Sequence, residues 1–191
     1  NPQVYRRLFP AMVESWRKEW NQGEFPFYYV QIAPYDYGRK NADKTDAAEI
    51  RQVQLECLKE IPNAGMVVTA DIGNRTCVHP SDKANVGKRL ALWALAKTYQ
   101  RSGTPYSGPL YKSFTIDKEK LVVEFDYAEM GMTSYDREIV GFEVAGKDGV
   151  YYPAKAVLFD NKTKVVLTSE QVPVPIGVKY GFRNYQPLNL F

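Results

Sequence analysis

Between Gly103 and Gly108 the hydrophobic pattern changes its period. Before that point, helical spacings alternate with short, almost continuous apolar runs; after it, short alternating runs follow one another with turn residues between them. One layer of secondary structure cannot satisfy both patterns. The expected organisation is therefore an α/β domain over residues 1–103 followed by a small antiparallel β-sandwich over residues 104–191.

In the first part, Val4, Leu8, Met12, Trp16 and Trp20 recur every four residues, with Phe9 and Val13 beside them. This is the apolar stripe of an amphipathic helix. Asn1-Pro2 supplies its cap and a preset first turn, and Gly23 is the expected stop. The run Phe27 to Ala33 reads as a strand apolar on both faces, as in a parallel sheet covered by helices. A polar loop over 34–44 follows, then a second helix with Asp46 and Glu49 as its capping box and Ile50, Val53, Cys57, Leu58 and Ile61 inward. Met66 to Ala70 is a second buried strand. The third helix, about residues 81–99, is apolar nearly all round and is expected to be mostly buried.

Helix, strand, helix, strand, helix is the order of a partial doubly wound, flavodoxin-like layer with right-handed crossovers. Two strands are fewer than such a sheet normally needs, so the layer reads as incomplete. The chain opens at Asn1-Pro2 with neither Met nor signal peptide, as expected of a piece of a longer protein. In the second part, strands are expected at 110–116, 121–127, 140–144, 150–152, 154–159, 164–167 and 177–181.

The chain's chemistry is bounded by what it lacks. A net charge of +3 with scattered Lys and Arg argues against a nucleic-acid partner. The longest apolar run, Leu90 to Ala96, is far short of the roughly 20 residues that span a bilayer. Two cysteines and one histidine exclude a multi-imidazole metal centre or a disulfide scaffold, and no cofactor is expected. The sequons at Asn74 and Asn161 would matter only in a eukaryotic secretory pathway.

The loop from Asp71 to Pro80 is the candidate site, since open α/β sheets place ligands outside the carboxyl ends of their strands. Pro80 keeps His79 extended at the loop rim, where an imidazole suits general acid–base work. A capping or partly buried histidine is the competing reading. Asp71 either orients the imidazole or caps a turn. Cys77 is expected to be a buried structural thiol. Tyr28 and Tyr29 read as strand core, whereas Tyr35 and Tyr37 remain open as a platform for a sugar ring.

Several stretches carry a family resemblance. Tyr5 to Met12, Phe25 to Ala33, Gly65 to Gly73, and His79-Pro80-Ser81-Asp82-Lys83 continuing through Val86 to Ala91 resemble the sialate O-acetylesterases of the SGNH hydrolase superfamily. Gly108 to Tyr111 and Gly141 to Gly146 are similar to that family's C-terminal β-domain. The resemblance implies hydrolysis of acetyl esters on sialic acid or a related acetylated sugar, and a commonly extracytoplasmic location. It also implies a serine nucleophile, an oxyanion hole built from early Gly and Asn residues, and a histidine base that His79 matches.

Two departures accompany the match. Thr76 stands where the superfamily often has an Asp three residues before the histidine, so either Asp71 reaches His79 or the machinery is a dyad. The Gly-Glu-Ser-Asn nucleophile segment is absent, and none of the chain's serines sits in a Gly-rich turn after a strand. The expected partner is therefore a missing N-terminal part of the same protein, and the chain by itself is expected to be inactive. The alternative is a carbohydrate-binding or interaction module without catalysis.

Overall fold

The computed structural model describes residues 1–37 and 41–191; the middle of the expected 34–44 loop lies outside the described residues. The chain forms two compact units: residues 1–106 with 183–185, and residues 107–182 with 186–191. Among the described residues it is a mixed α/β structure with one parallel and two antiparallel sheets. No helix among the described residues is long and apolar enough to cross a membrane.

The first unit runs α1 (Pro2–Trp20), β1 (Phe27–Val30), α2 (Asp46–Cys57), β2 (Ala64–Val67) and α3 (Lys83–Trp93). A π-helical turn over Ala94–Thr98 then widens the end of α3. The strands β1 and β2 pair in parallel, with Phe27 opposite Ala64 and Val30 opposite Val67. Asn1 caps α1 by accepting from the Gln3 amide at 3.0 Å. The stop comes at Asn21, left-handed at φ 49°, two residues before the expected Gly23.

The buried face of α1 is not the four-residue stripe. Val4, Leu8, Trp16 and Trp20 are all exposed, Trp20 at 67%. Of the stripe Met12 packs inward, together with Tyr5, Phe9 and Val13 from the line beside it, on Val53, Cys57 and Ile61. Two apolar lines run along this helix, and contact with α2 and β1 selects between them.

Both parallel strands are shorter than their apolar runs. Beyond Val30 the Ile32 amide donates to the Gln54 side chain at 2.9 Å, and Gln31 donates through Nε2 to the Arg51 carbonyl at 2.9 Å. The Gln54 side chain of α2 thus takes the Ile32 amide in place of a ladder partner. Buried Tyr29 donates its hydroxyl to the Gln54 carbonyl at 2.6 Å, and burial raises its pKa well above the ordinary tyrosine value.

The start of α2 is held differently from the expected capping box. Thr45 is the cap residue, and its hydroxyl donates to the Glu49 carboxylate at 3.1 Å. The Ala47 amide donates to Asn184 Oδ1 at 2.8 Å, across 137 positions of sequence. Asn184 is 2% exposed; its amide donates to the Lys44 carbonyl, and its own carbonyl accepts from the Tyr35 amide. Arg51 donates to the Arg183 carbonyl beside it, and burial lowers the pKa of that guanidinium. These bonds make 183–185 part of the first unit.

The α3 helix seats Trp93 against the sheet, with Nε1 donating to the Met66 carbonyl at 3.1 Å. Gly65 makes room for the ring: a Cβ there would lie 2.5 Å from Trp93 Cε3. Contrary to the expected burial, Trp93 is the sole buried residue of α3 among the described residues. A helix laid on a two-stranded sheet has one face covered and the other in water.

The second unit contains β3 (Leu110–Asp117), β4 (Lys120–Asp126), β5 (Phe142–Ala145), β6 (Tyr151–Pro153), β7 (Lys155–Phe159), β8 (Lys164–Thr168) and β9 (Gly177–Tyr180). They form two antiparallel sheets, in the orders β3-β4-β8-β7 and β6-β5-β9. Leu121, Val123, Phe142, Val144, Val165 and Leu167, drawn from both sheets, share one apolar cluster. The strand alternation of β3 breaks at a bulge between Tyr111 and Ser113. Pro153 ends β6, an edge strand, where its missing N–H costs no ladder bond.

Candidate functional site

At the carboxyl ends of β1 and β2 the chain leaves the sheet in two segments that hold each other. Asp36, 2% exposed, accepts from Arg75 Nε at 3.3 Å, and its amide donates to the Arg75 carbonyl. Gly73 lies against Pro34 so closely that a Cβ would sit 2.6 Å from the Pro34 carbonyl oxygen. Asn74 Oδ1 then accepts from the Thr76 amide at 2.9 Å, the Thr76 hydroxyl at 3.1 Å and the Cys77 amide at 3.0 Å. Short polar side chains that turn back on their own backbone fix such loops locally.

A groove of about 400 Å³ opens between these segments and the start of α3. Val30, Ile32, Thr69, Val78, Val86 and Lys83 are among the residues lining it. His79 stands between Val78 and Pro80, both of which line the groove. Its imidazole is exposed, and among the described residues no hydrogen bond holds the ring. An imidazole there can exchange protons with anything that enters from solvent.

Asp71 is committed elsewhere. Its two carboxylate oxygens accept from Arg89 Nη1 at 2.8 Å and Nη2 at 2.6 Å, a bidentate pair. Arg89 Nη1 also donates to the Val68 carbonyl at 2.7 Å, tying the end of β2 to α3. The hydrogen bond to Asp71 raises the Arg89 pKa above its ordinary value. Arg89 is absent from the expected site: it lies 18 residues from Asp71 within a helical pattern, and nothing in that spacing signals the pair. Asp82 caps α3, accepting from the Asn85 amide and Nδ2, and these bonds hold its carboxyl below the ordinary carboxylate range.

The aromatic candidates divide. Tyr28 bonds Thr98 at 2.7 Å through its hydroxyl, and Tyr29 is core, whereas Tyr37 lines the groove with its ring edge-on to Tyr35 at 4.9 Å. A larger groove of about 480 Å³, between Trp16, Trp20, Phe25 and Phe27, lies at the amino end of β1. Among the described residues it has no ionisable lining residue, whereas Tyr37 and Lys83 line the smaller one.

Cys77 corrects the expectation of a buried thiol. It is exposed, with Sγ donating to the His79 carbonyl at 3.3 Å, because the Asn74 turn directs this stretch outward. Cys57 is the buried one, at 0% exposure, and burial raises its pKa. A thiol-specific disulfide reagent is therefore expected to titrate one thiol in the native chain and a second only after unfolding. Rapid reaction of both native thiols would contradict this packing.

No family model matches the chain. Sialate O-acetylesterase from Rattus norvegicus is 30% identical over 97% of the chain, and that from Mus musculus is 25% identical over 97%. The chain is a homologue of the sialate O-acetylesterases. A crystal structure of a carbohydrate acetylesterase from Xanthomonas citri superposes on 98% of the chain with a TM-score of 0.89 and 34% identity. The chain spans 37% of the length of the two rodent esterases and 43% of the bacterial one.

Proposed function

We propose that this chain supplies the general base of a carbohydrate O-acetylesterase acting on acetylated sialic acid or a related sugar. His79 is that base, and a serine on polypeptide outside these 191 residues is the nucleophile. The observation that carries the reading is that His79 is exposed and that its chain neighbours Val78 and Pro80 line a groove at the carboxyl ends of two parallel strands. In this reading β1 and β2 belong to a doubly wound SGNH-type layer, the β-rich unit is the accompanying sandwich, and the setting is extracytoplasmic.

The chemistry follows from what an ester requires. A serine hydroxyl is a weak nucleophile until a base within hydrogen-bond reach takes its proton. His79 Nε2 or Nδ1 accepts that proton as the serine oxygen attacks the acetyl carbonyl. The tetrahedral oxyanion is held by donors outside this chain. As the carbon–oxygen bond to the sugar breaks, the imidazolium returns the proton to the departing sugar hydroxyl. Water then attacks the acetyl-enzyme with His79 again as base; the imidazolium returns that proton to the serine oxygen as its bond to the acetyl carbon breaks, and acetate leaves. With both Asp71 oxygens on Arg89, Asp71 acts as a positioning residue for the loop, and the reacting pair is a serine–histidine dyad.

Acetate release from O-acetylated N-acetylneuraminic acid tests this reading. A longer protein that adds the serine-bearing part is expected to release acetate, whereas the 191-residue chain alone releases none above background. Turnover by the isolated chain, or none by the longer protein, would overturn it.

A further inference from the structure

One edge of the parallel pair has no partner. The amides of Phe27 and Gln31 donate to the Asn63 and Val67 carbonyls at 3.0 and 2.9 Å, so these residues face β2. Backbone groups alternate sides along a strand, so the N–H and C=O of Tyr28 and Val30 point the other way. Among the described residues no strand pairs with β1 on that side, and no hydrogen bond takes those groups. Beyond them Gln54 closes the edge at the Ile32 amide. An unpaired edge is a template for strand addition, and parallel sheets normally have several strands. At the start of the same strand, exposed Trp16 and Trp20 line a groove of about 480 Å³ with Phe25 and Phe27.

The handedness of the chain says which strand fits there. Both α1 and α2 lie on one face of the sheet, where Phe9 meets Phe27 and Tyr29, and Val13 packs on Val53 and Cys57. The β1–α2–β2 connection joins parallel strands, and such crossovers are right-handed. A parallel strand leading into β1 through α1, on that same face, must step in the same direction. It therefore lies on the side of β1 away from β2, which is the free edge.

We propose that the serine-bearing part of the longer protein adds a parallel strand along Tyr28 and Val30 and covers the groove at Trp16 and Trp20. This rests on the reading that such a part exists, and it names the surface that part joins. The chain spans 37% of the length of the two rodent esterases, so relatives of this kind have ample polypeptide to supply a strand. Parallel addition sets the carboxyl end of the new strand at the end of the sheet that carries the His79 loop. That end is where the reading needs a nucleophile.

Residue-resolved hydrogen exchange on the longer protein tests this. With the edge occupied, the Tyr28 and Val30 amides are expected to exchange within about tenfold of the Phe27 and Gln31 amides, which are already bonded. Faster exchange than that would mean an open edge and would overturn the proposal. Protection seen only at concentrations where the longer protein dimerises would overturn it too, by making a second copy the occupant. Trp20→Ser reads the groove separately. Under a cover it is expected to lower the melting temperature of the longer protein by about 5 °C or more. A smaller shift, the behaviour of an exposed side chain, would leave the groove uncovered and overturn the proposal. A protected edge in a longer protein that releases no acetate would sink the esterase reading alone. Acetate release with an open edge would sink this inference alone.

Discussion

Replacing His79 with alanine, in a protein that also carries the nucleophile, is expected to lower kcat/KM for acetyl esters by about 10²–10⁴-fold, the usual contribution of a general base. Stability should stay within about 0.5 kcal/mol of the parent, because an exposed ring without a hydrogen bond holds nothing in place. The pairing of those two results is diagnostic. A histidine that merely shaped the loop would lose stability and activity together. Asp71→Asn is the contrasting variant: breaking a bidentate pair with Arg89 should destabilise by about 1–3 kcal/mol and reduce activity through the loop. Loss of activity at unchanged stability in Asp71→Asn would instead make it a third member of the catalytic set. A loss of less than threefold on His79→Ala would remove the imidazole from the mechanism.

Trp93→Ala should show the largest loss of stability, about 3–5 kcal/mol in urea unfolding of the first unit. The ring is 7% exposed, lies on Gly65, meets Tyr106 edge-on at 4.7 Å and satisfies the Met66 carbonyl. Removing it leaves both a cavity and an unpaired acceptor on a two-stranded sheet that has little else to hold α3. Trp93→Phe should recover much of the packing but not the hydrogen bond. Gly65→Ala should cost about 1–3 kcal/mol by driving a methyl into the same ring. In Gly65→Ala/Trp93→Ala the two losses should not add, because each relieves the other. A Trp93→Ala loss below about 1 kcal/mol would mean that α3 is held by contacts other than this ring.

Particular elements show how far periodicity reaches. The strands between 110 and 181 lie within a residue or two of their alternating runs, because each run is bounded by turn residues and one face must be apolar. On α1 two apolar lines a residue apart both satisfy a helical period, and the packing of Val13 on Val53, Cys57 and Ile61 decides between them. The apolar run of β1 is legible but its end is not, since Gln54 on α2 takes the Ile32 amide. Asp46 and Glu49 mark the cap of α2 in the sequence, whereas part of it comes from Asn184.

The loop from Asp71 to Pro80 and its histidine could be located from the sequence because strand ends, Gly and Pro leave local marks. Whether Asp71 meets His79 or Arg89, and whether Cys77 is buried, depend on pairings between distant parts of the chain. Local sequence sets the backbone's short-range choices; which donor meets which acceptor is settled only when helices and strands close over one another and every buried charge must find its counterpart.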